Sequence, residues 1–198
     1  MGKLVYGVGV NDADYTTSKE IVVDGKRKVV WTCPFYKRWQ GMLERCYSKK
    51  FHIKNTTYVN CLAAAEWHYF MTFKAWMETQ DWEGKHLDKD ILLLGNKIYG
   101  PDACVFIDQK VNGFLNERQN DRGEWPIGVT FHKRDRKFHA QGYDVMTGKR
   151  KSLGYYDDPQ EAHSAWLSNK LEQAKILASQ QTDKRVAEAL IKRYENYK

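Results

Sequence analysis

The residues of this chain best suited to chemistry are an aspartate and an asparagine 24 positions apart, Asp88 and Asn112. The pattern around them predicts a strand, a loop, a second strand and the start of a helix, with Asp88 on the first strand and Asn112 where the helix begins. Carboxylates and carboxamides carry hard oxygen atoms of the kind that Mg²⁺ and Mn²⁺ bind. This segment is therefore the most informative stretch of the chain for its function.

The elements of the N-terminal half follow from apolar periodicity and turn residues. Residues 20–31 predict a β-hairpin, because Asp24 and Gly25 join two β-branched runs. A helix is predicted to begin at Pro34, followed by a polar loop over residues 48–60 and a second helix over residues 62–79. A mostly aromatic stripe lies on one face of the second helix, which favours a core role over a ligand site: Trp67, Phe70, Phe73 or Lys74, and Met77.

The C-terminal half begins with a junction at residues 121–126. Period-2 alternation then predicts two strands within residues 127–142 and a third over residues 149–156. Helices are predicted over residues 159–178 and 183–197. Three antiparallel strands packed on one helix leave the other face of the sheet free.

The charge of the chain favours a polyanionic partner. The net charge is +7 and the sequence pI is about 9.1. Residues 122–151 contain eight basic side chains, beginning with Arg122, and three acidic ones, a balance of +5. A twisted sheet edged with Lys and Arg can enter the major groove of double-stranded DNA. A solvated basic sheet without such a partner is the alternative.

Location and redox state follow from what the sequence contains. Its apolar runs fall short of the roughly 18 residues that a membrane helix needs, and the N-terminus lacks a signal-peptide pattern, so we expect a cytoplasmic protein without a membrane partner. Free thiols are then expected at the four cysteines, Cys33, Cys46, Cys61 and Cys104. A zinc site of Cys46, Cys61, Cys104 and a His is the alternative, but this spacing matches no zinc-ligand pattern.

Residues 127–177 resemble the DNA-binding domain of plant ethylene-response factors, which also occurs in phage endonucleases and integrases. The carrying motifs are Ile127-Gly128-Val129, Lys137-Phe138-His139-Ala140, Leu153-Gly154-Tyr155-Tyr156 and Glu161-Ala162-His163-Ser164-Ala165-Trp166. In that family the exposed sheet face grips the major groove. By position, the resemblance implies eight DNA contacts: Thr130, His132, Arg134, Lys137, His139, Gln141, Arg150 and Lys151. A register slip of one residue would exchange the faces, and Tyr143 and Tyr155 are either core-edge or base-stacking residues.

Residues 36–120 resemble phage-encoded, homing-type HNH endonucleases. The carrying stretches are residues 39–47, Glu66 and Trp67 with Phe70 and Phe73, residues 87–90, 95–101 and 104–106, and Asn112. The resemblance implies an α+β fold with a ββα-metal (HNH-like) nuclease core and a C-terminal three-stranded antiparallel sheet packed on one helix. The implied domains are a nuclease at residues 1–120, a DNA-binding domain at residues 121–180 and a terminal helix at residues 181–198.

The same resemblance assigns a metal, Mg²⁺ or Mn²⁺, to Asp88 and Asn112. One position departs from the family, whose usual general base is a His directly after the strand Asp; here that residue is Lys89, a poor base at neutral pH. His86 and Asp90 share the Asp88 face of a regular strand, so either could replace the base, and Asp90 could instead bind the metal.

The family also has a central Asn that orients the base. Ala103 stands at the usual position of this Asn beside the second strand, and Asn96 lies in the preceding loop. Taken alone, Asp88 could be a surface carboxylate, and Asn112 an N-cap or first-turn residue of a helix.

The expected function is a metal-dependent DNA endonuclease that hydrolyses phosphodiester bonds in double-stranded DNA, acting in the bacterial host cytoplasm if a phage encodes it. The alternative is a non-catalytic, sequence-specific DNA-binding protein on a degenerate HNH scaffold. The substitution of Lys89 for His motivates the alternative.

Overall fold

The computed structural model describes residues 3–116 and 123–197 and shows a mixed α+β protein. The chain forms two compact units, Met1–Ile107 and Asp108–Lys198. Residues 108–116, which the sequence assigned to the nuclease domain, therefore group with the C-terminal unit. Residues 121 and 122, which begin the predicted junction and include Arg122, lie outside the described residues. Across the two described ranges, none of the helices combines the length and apolarity needed to cross a membrane.

The first unit contains a two-stranded antiparallel hairpin, β1 (Ser18–Val23) and β2 (Lys26–Thr32). Asp24 and Gly25 form its turn, with φ values of 52° and 71°. Positive φ at both central residues is what a two-residue type I′ turn requires. The predicted hairpin is confirmed.

Three helices follow the hairpin: α1 (Pro34–Tyr47), α2 (Lys49–Lys54) and α3 (Phe70–Glu78). The helix predicted from Pro34 is confirmed, whereas the prediction of a polar loop over residues 48–60 is wrong. Ser48 is the N-cap of α2, because its side chain accepts a hydrogen bond from the backbone N of Phe51 at 3.2 Å. A polar stretch without a clear apolar period gives no helical signal, so only the cap at Ser48 indicates this helix.

The helix predicted over residues 62–79 is too long. Residues 62–63 form strand β3 (Leu62–Ala63), which pairs in parallel with β5 (Ile98–Tyr99), and α3 begins only at Phe70. The pairing with a distant strand overrides the local helical pattern. The core role of the aromatic stripe is confirmed, since all four of its apolar residues are buried: Trp67, Phe70, Phe73 and Met77.

The segment around Asp88 has the predicted order of elements. β4 (His86–Asp88) pairs antiparallel with β6 (Val105–Ile107), and α4 (Gln109–Leu115) follows in the chain as the first helix of the second unit. Strand, loop, strand and helix start are therefore confirmed as local structure.

The second unit contains the predicted antiparallel sheet, in the order β7 (Val129–His132), β8 (Lys137–Asp144) and β9 (Lys149–Tyr156). Helix α5 (Pro159–Ala178) packs on one face of the sheet, and α6 (Lys184–Glu195) packs on α5. Gly128 allows this close packing: its φ is 81°, and a Cβ there would overlap the indole of Trp166.

Candidate functional site

Asp88 ends strand β4, and the backbone of the following turn holds its carboxylate. Oδ1 accepts hydrogen bonds from the backbone N of Asp90 at 2.9 Å and from that of Ile91 at 2.8 Å. Burial raises the pKa of Asp88 above its ordinary value, and the charge of Asp90 raises it further, against the opposing effect of the two backbone hydrogen bonds. Asp88 is thus a half-buried, positioned carboxylate rather than a surface one.

The same hydrogen bonds place Asp90 in the turn after β4 rather than in the strand. Because the Asp88 carboxylate caps a turn, β4 stops at Asp88, and the expectation that Asp90 shares its strand face is wrong. His86 lies two residues before Asp88 within β4 and therefore shares that face, while Leu87 between them is buried. Among the base candidates on this strand, His86 is the exposed residue on the Asp88 side.

The side chain of Lys89 stabilises the loop after Asp88 by hydrogen bonds. The residue is only 8% exposed, and its Nζ donates to Oδ2 of Asp90 at 3.1 Å and to the carbonyl O of Asn96 at 2.9 Å. In return, Nδ2 of Asn96 donates to the carbonyl O of Lys89 and to that of Ile98, each at 2.7 Å. The residue at the family's base position therefore has a structural role, and Asn96 holds its backbone.

The oxygen donors around Asp88 are carboxylates, the kind of ligand that hard divalent cations bind. Asp88 and Asp90 place two carboxylates in one turn, and a cation would relieve the mutual repulsion that contributes to the raised pKa of Asp88. Within residues 3–116 and 123–197, no group of three or more His, Cys, Asp or Glu side chains is arranged to hold a metal. A cation bound here would take most of its ligands from water and phosphate, as Mg²⁺ commonly does.

Asn112 is the fourth residue of α4 and is exposed. The N-cap of α4 is Asp108, whose Oδ1 accepts a hydrogen bond from the backbone N of Val111 at 2.7 Å, so of the two alternative places for Asn112 the N-cap is wrong and the first turn is confirmed. Asn112 belongs to the second unit and Asp88 to the first. A shared metal ligation by these two residues stays a prediction of the resemblance.

The register of the β7-β8-β9 sheet divides the predicted DNA contacts between two faces. His139 pairs with Thr130 of β7 and with Tyr155 of β9, and directly paired residues point to the same side. The neighbouring Ala140 is buried with Ala162 of α5, so His139 lies on the opposite, open face. Pairing and alternation put six of the eight predicted contacts on this open face: Thr130, His132, Lys137, His139, Gln141 and Arg150.

The other two predicted contacts lie elsewhere. Arg134 lies in the β7–β8 turn, where its Nε donates to Oδ1 of Asp135 at 2.9 Å. Lys151 pairs with Gly142, which has no room for a side chain because Asn169 of α5 packs against it. Lys151 is therefore on the α5 side of β9, although its side chain is exposed near the strand end.

Two tyrosines extend the open face. The ring of Tyr155 lies on the imidazole of His139, with centroids 4.4 Å apart and an interplanar angle of 10°. Tyr155 is 48% exposed and Tyr143 is 49% exposed, so neither is a core residue. Alternation in the sequence could not assign the side chains of both β8 and β9 to a face, because a bulge between Ala140 and Gln141 shifts the pairing of the two strands.

The cysteines of the described chain are free and buried. Burial raises the pKa of Cys46 and of Cys104 to about 12 in each case. The zinc alternative stays open.

Comparison of the chain with protein-family models, with curated proteins and with solved structures finds no match in any of the three.

Proposed function

We propose that this protein is a metal-dependent DNA endonuclease of the HNH type that holds double-stranded DNA on the open face of the β7-β8-β9 sheet. The observation that carries the proposal is the positioned, half-buried Asp88 at the end of an antiparallel strand pair. Half-buried carboxylates with raised pKa values are costly to maintain and are concentrated at functional sites.

The open face has the composition that duplex DNA requires. Lys137 and Arg150 carry the positive charge that phosphates attract, while His132, His139 and Gln141 offer hydrogen bonds to base edges. Every one of these side chains is at least partly exposed. The face has few carboxylates, one of which, Asp157, binds Lys137 at 3.1 Å. Its charge therefore favours a polyanionic partner over a neutral one.

The cutting site would be built around Asp88. Its carboxylate would hold Mg²⁺ or Mn²⁺, which as a Lewis acid stabilises charge on the phosphate and on the leaving oxygen. His86, on the same strand face, would accept the proton of the attacking water. Asp90 accepts a hydrogen bond from Lys89, so it would contribute negative charge to the site rather than act as the base. Asn112 is the second ligand that the resemblance predicts.

A plasmid-nicking assay tests the proposal. Purified protein is incubated with supercoiled plasmid in EDTA, Mg²⁺ or Mn²⁺, beside Asp88→Asn and the matched control Asp102→Asn, an exposed carboxylate of the same unit. We expect metal-dependent nicking that Asp88→Asn abolishes and Asp102→Asn keeps. Equal nicking in EDTA, or unchanged nicking by Asp88→Asn, would contradict it.

Metal binding has a readout that does not depend on cutting. A ligand that binds only the folded state raises its stability by about 1.4 kcal/mol at ten times its Kd. We therefore expect Mn²⁺ to raise the Tm of the wild type and of Asp102→Asn but not that of Asp88→Asn.

The alternative function is DNA binding without cutting. It is favoured by one observation: the residue at the base position, Lys89, is buried and bound to Asp90 and to the Asn96 backbone. Salt-sensitive plasmid binding without nicking in any metal would support this alternative and reject the endonuclease.

A further inference from the structure

Helix α1 and the segment after it line an open cleft of about 680 Å³ in the first unit. Its lining combines three cations with three aromatic rings: Lys37, Arg38, Arg45, Phe51, Tyr58 and Trp82. Within the described chain the lining includes no carboxylate. The volume is in the range of ordinary ligand sites.

The cations are aligned by helix geometry. Arg38 and Arg45 are seven residues apart, which is two turns, so they lie on one side of α1. Gly41 lies between them and also lines the cleft, and a Cβ there would meet nothing within 4 Å. A mid-helix Gly costs roughly 0.5–1 kcal/mol relative to Ala. Packing within the described protein does not demand this Gly, and it leaves the backbone between the two arginines open to the cleft.

Among the described residues, no carboxylate forms a salt bridge with the guanidinium group of Arg38 or of Arg45. Burial lowers the pKa of Arg38, and the neighbouring charge of Arg45 lowers it further. Nε of Arg45 is buried, and no atom of the described residues accepts a hydrogen bond from it. The Arg45 guanidinium carbon lies 5.3 Å from the centroid of the Tyr99 ring, which orients the group without neutralising it. A buried, unpaired donor beside a like charge is costly, and an anion with several oxygens would remove both costs.

We infer that this cleft binds a phosphate group of a DNA strand, with Arg38, Arg45 and Lys37 on the phosphate and the aromatic rings against the attached nucleoside. Arginine forks match the oxygens of a phosphodiester, and aromatic faces accept unstacked bases of any sequence. The inference rests on the proposed function for the source of the strand. It adds a contact in the first unit, whereas the open sheet face belongs to the second.

Side-chain NMR of the full-length protein tests the ligand chemistry directly. The ¹H–¹⁵N signals of the arginine Nε–H groups are followed during titration with inorganic phosphate, deoxyadenosine monophosphate and a short DNA strand. We expect the Arg38 and Arg45 signals to shift with all three, and at the lowest concentration with DNA. Signals that do not move with DNA would overturn the inference, and tighter binding of the free nucleotide than of DNA would overturn the assignment to a strand.

Charge-removing variants test the contribution to DNA binding. We expect Arg38→Gln and Arg45→Gln each to weaken DNA binding about 10-fold, and to reduce the salt dependence of log K by about one phosphate contact. Lys37→Gln, at an exposed position, should do so to a smaller extent. The control is Lys49→Gln, an equal loss of charge at an exposed residue outside the lining.

The outcomes separate this inference from the proposed function. Arginine variants that match Lys49→Gln, while Arg150→Gln on the sheet weakens binding, would overturn the cleft and leave the endonuclease proposal intact. Loss of DNA affinity in the arginine variants, with plasmid nicking absent in every metal, would support the cleft and reject the endonuclease.

Discussion

The side chains of Lys89 and Asn96 bind each other's backbone. Nζ of Lys89 donates to the carbonyl O of Asn96 at 2.9 Å, and Nδ2 of Asn96 donates to the carbonyl O of Lys89 at 2.7 Å. This exchange closes the loop that begins directly after Asp88. The candidate carboxylate is therefore positioned by two residues that do not themselves need to react.

Replacement of Asn96 should loosen that loop. Asn96→Ala removes the hydrogen bonds to the carbonyl groups of Lys89 and Ile98 and the one that the Asn96 Oδ1 accepts from the backbone N of Ile98 at 3.1 Å. At roughly 1 kcal/mol each, we expect the free energy of unfolding to fall by about 2–3 kcal/mol in urea denaturation.

The exposed Asn112 provides the comparison for this measurement. Asn112→Ala should change the free energy of unfolding by less than about 0.5 kcal/mol, because its side chain is exposed on α4. If the proposed function holds, both variants lose nicking but only Asn96→Ala loses stability. Equal stability of the two variants would contradict the role given to Asn96.

Asp88→Asn should reveal a cost of keeping Asp88 ionised. Folding raises the pKa of Asp88 above the ordinary Asp value of about 4. Between these two pKa values, the folded protein keeps the Asp88 proton and the unfolded chain loses it. The stabilisation that Asp88 contributes is therefore lost as the pH rises through this window. The variant keeps an Oδ1 acceptor for the turn and has no such loss. Its free energy of unfolding relative to the wild type should therefore increase with pH across the window and then level off.

Urea titrations at several pH values measure this difference in metal-free buffer. A difference that shrinks as pH rises would show that the Asp88 pKa is lowered by folding. Asp102→Asn, which replaces an exposed carboxylate, serves as the control and should give a nearly flat profile.

Two adjacent residues of β9 should differ in their effect on DNA binding. Arg150 pairs with Tyr143 on the open face, and Lys151 pairs with Gly142 on the α5 side. Arg150→Gln and Lys151→Gln remove the same charge at almost the same place. We expect Arg150→Gln to weaken binding more and to reduce the salt dependence of log K by about one unit of slope, measured by fluorescence anisotropy. A larger effect of Lys151→Gln would show that the open face is not the face that binds DNA.

Gly128→Ala should destabilise the second unit strongly. The φ of Gly128 is 81°, and the added methyl group would overlap the Trp166 indole. Strain and overpacking together predict a loss of about 2–4 kcal/mol in the free energy of unfolding. Gly123→Ala is the matched control, since a Cβ at Gly123 meets nothing within 4 Å. A midpoint of unfolding for Gly128→Ala close to that of Gly123→Ala would refute the packing argument.

Local patterns predicted those elements whose cause is local. The hairpin around Asp24 and Gly25 follows from the backbone freedom of its turn residues, and the helix from Pro34 follows from a single apolar face. The helix predicted over residues 62–79 is wrong for the opposite reason. Its first two residues pair with Ile98 and Tyr99. This partner strand is more than 30 residues away in the chain, so local periodicity around residue 62 cannot predict the pairing.

The sequence by itself determined the charge of the chain, the order strand, loop, strand and helix around Asp88, and the three-stranded sheet with its basic side chains. Only the tertiary structure decided which side chains share a surface, because bulges, turns and buried hydrogen bonds act on distance in space rather than on spacing in the chain. It ended β4 at Asp88 and so moved Asp90 out of the strand, it buried Lys89 against Asn96, and it put Arg150 and Lys151 on opposite sides of β9.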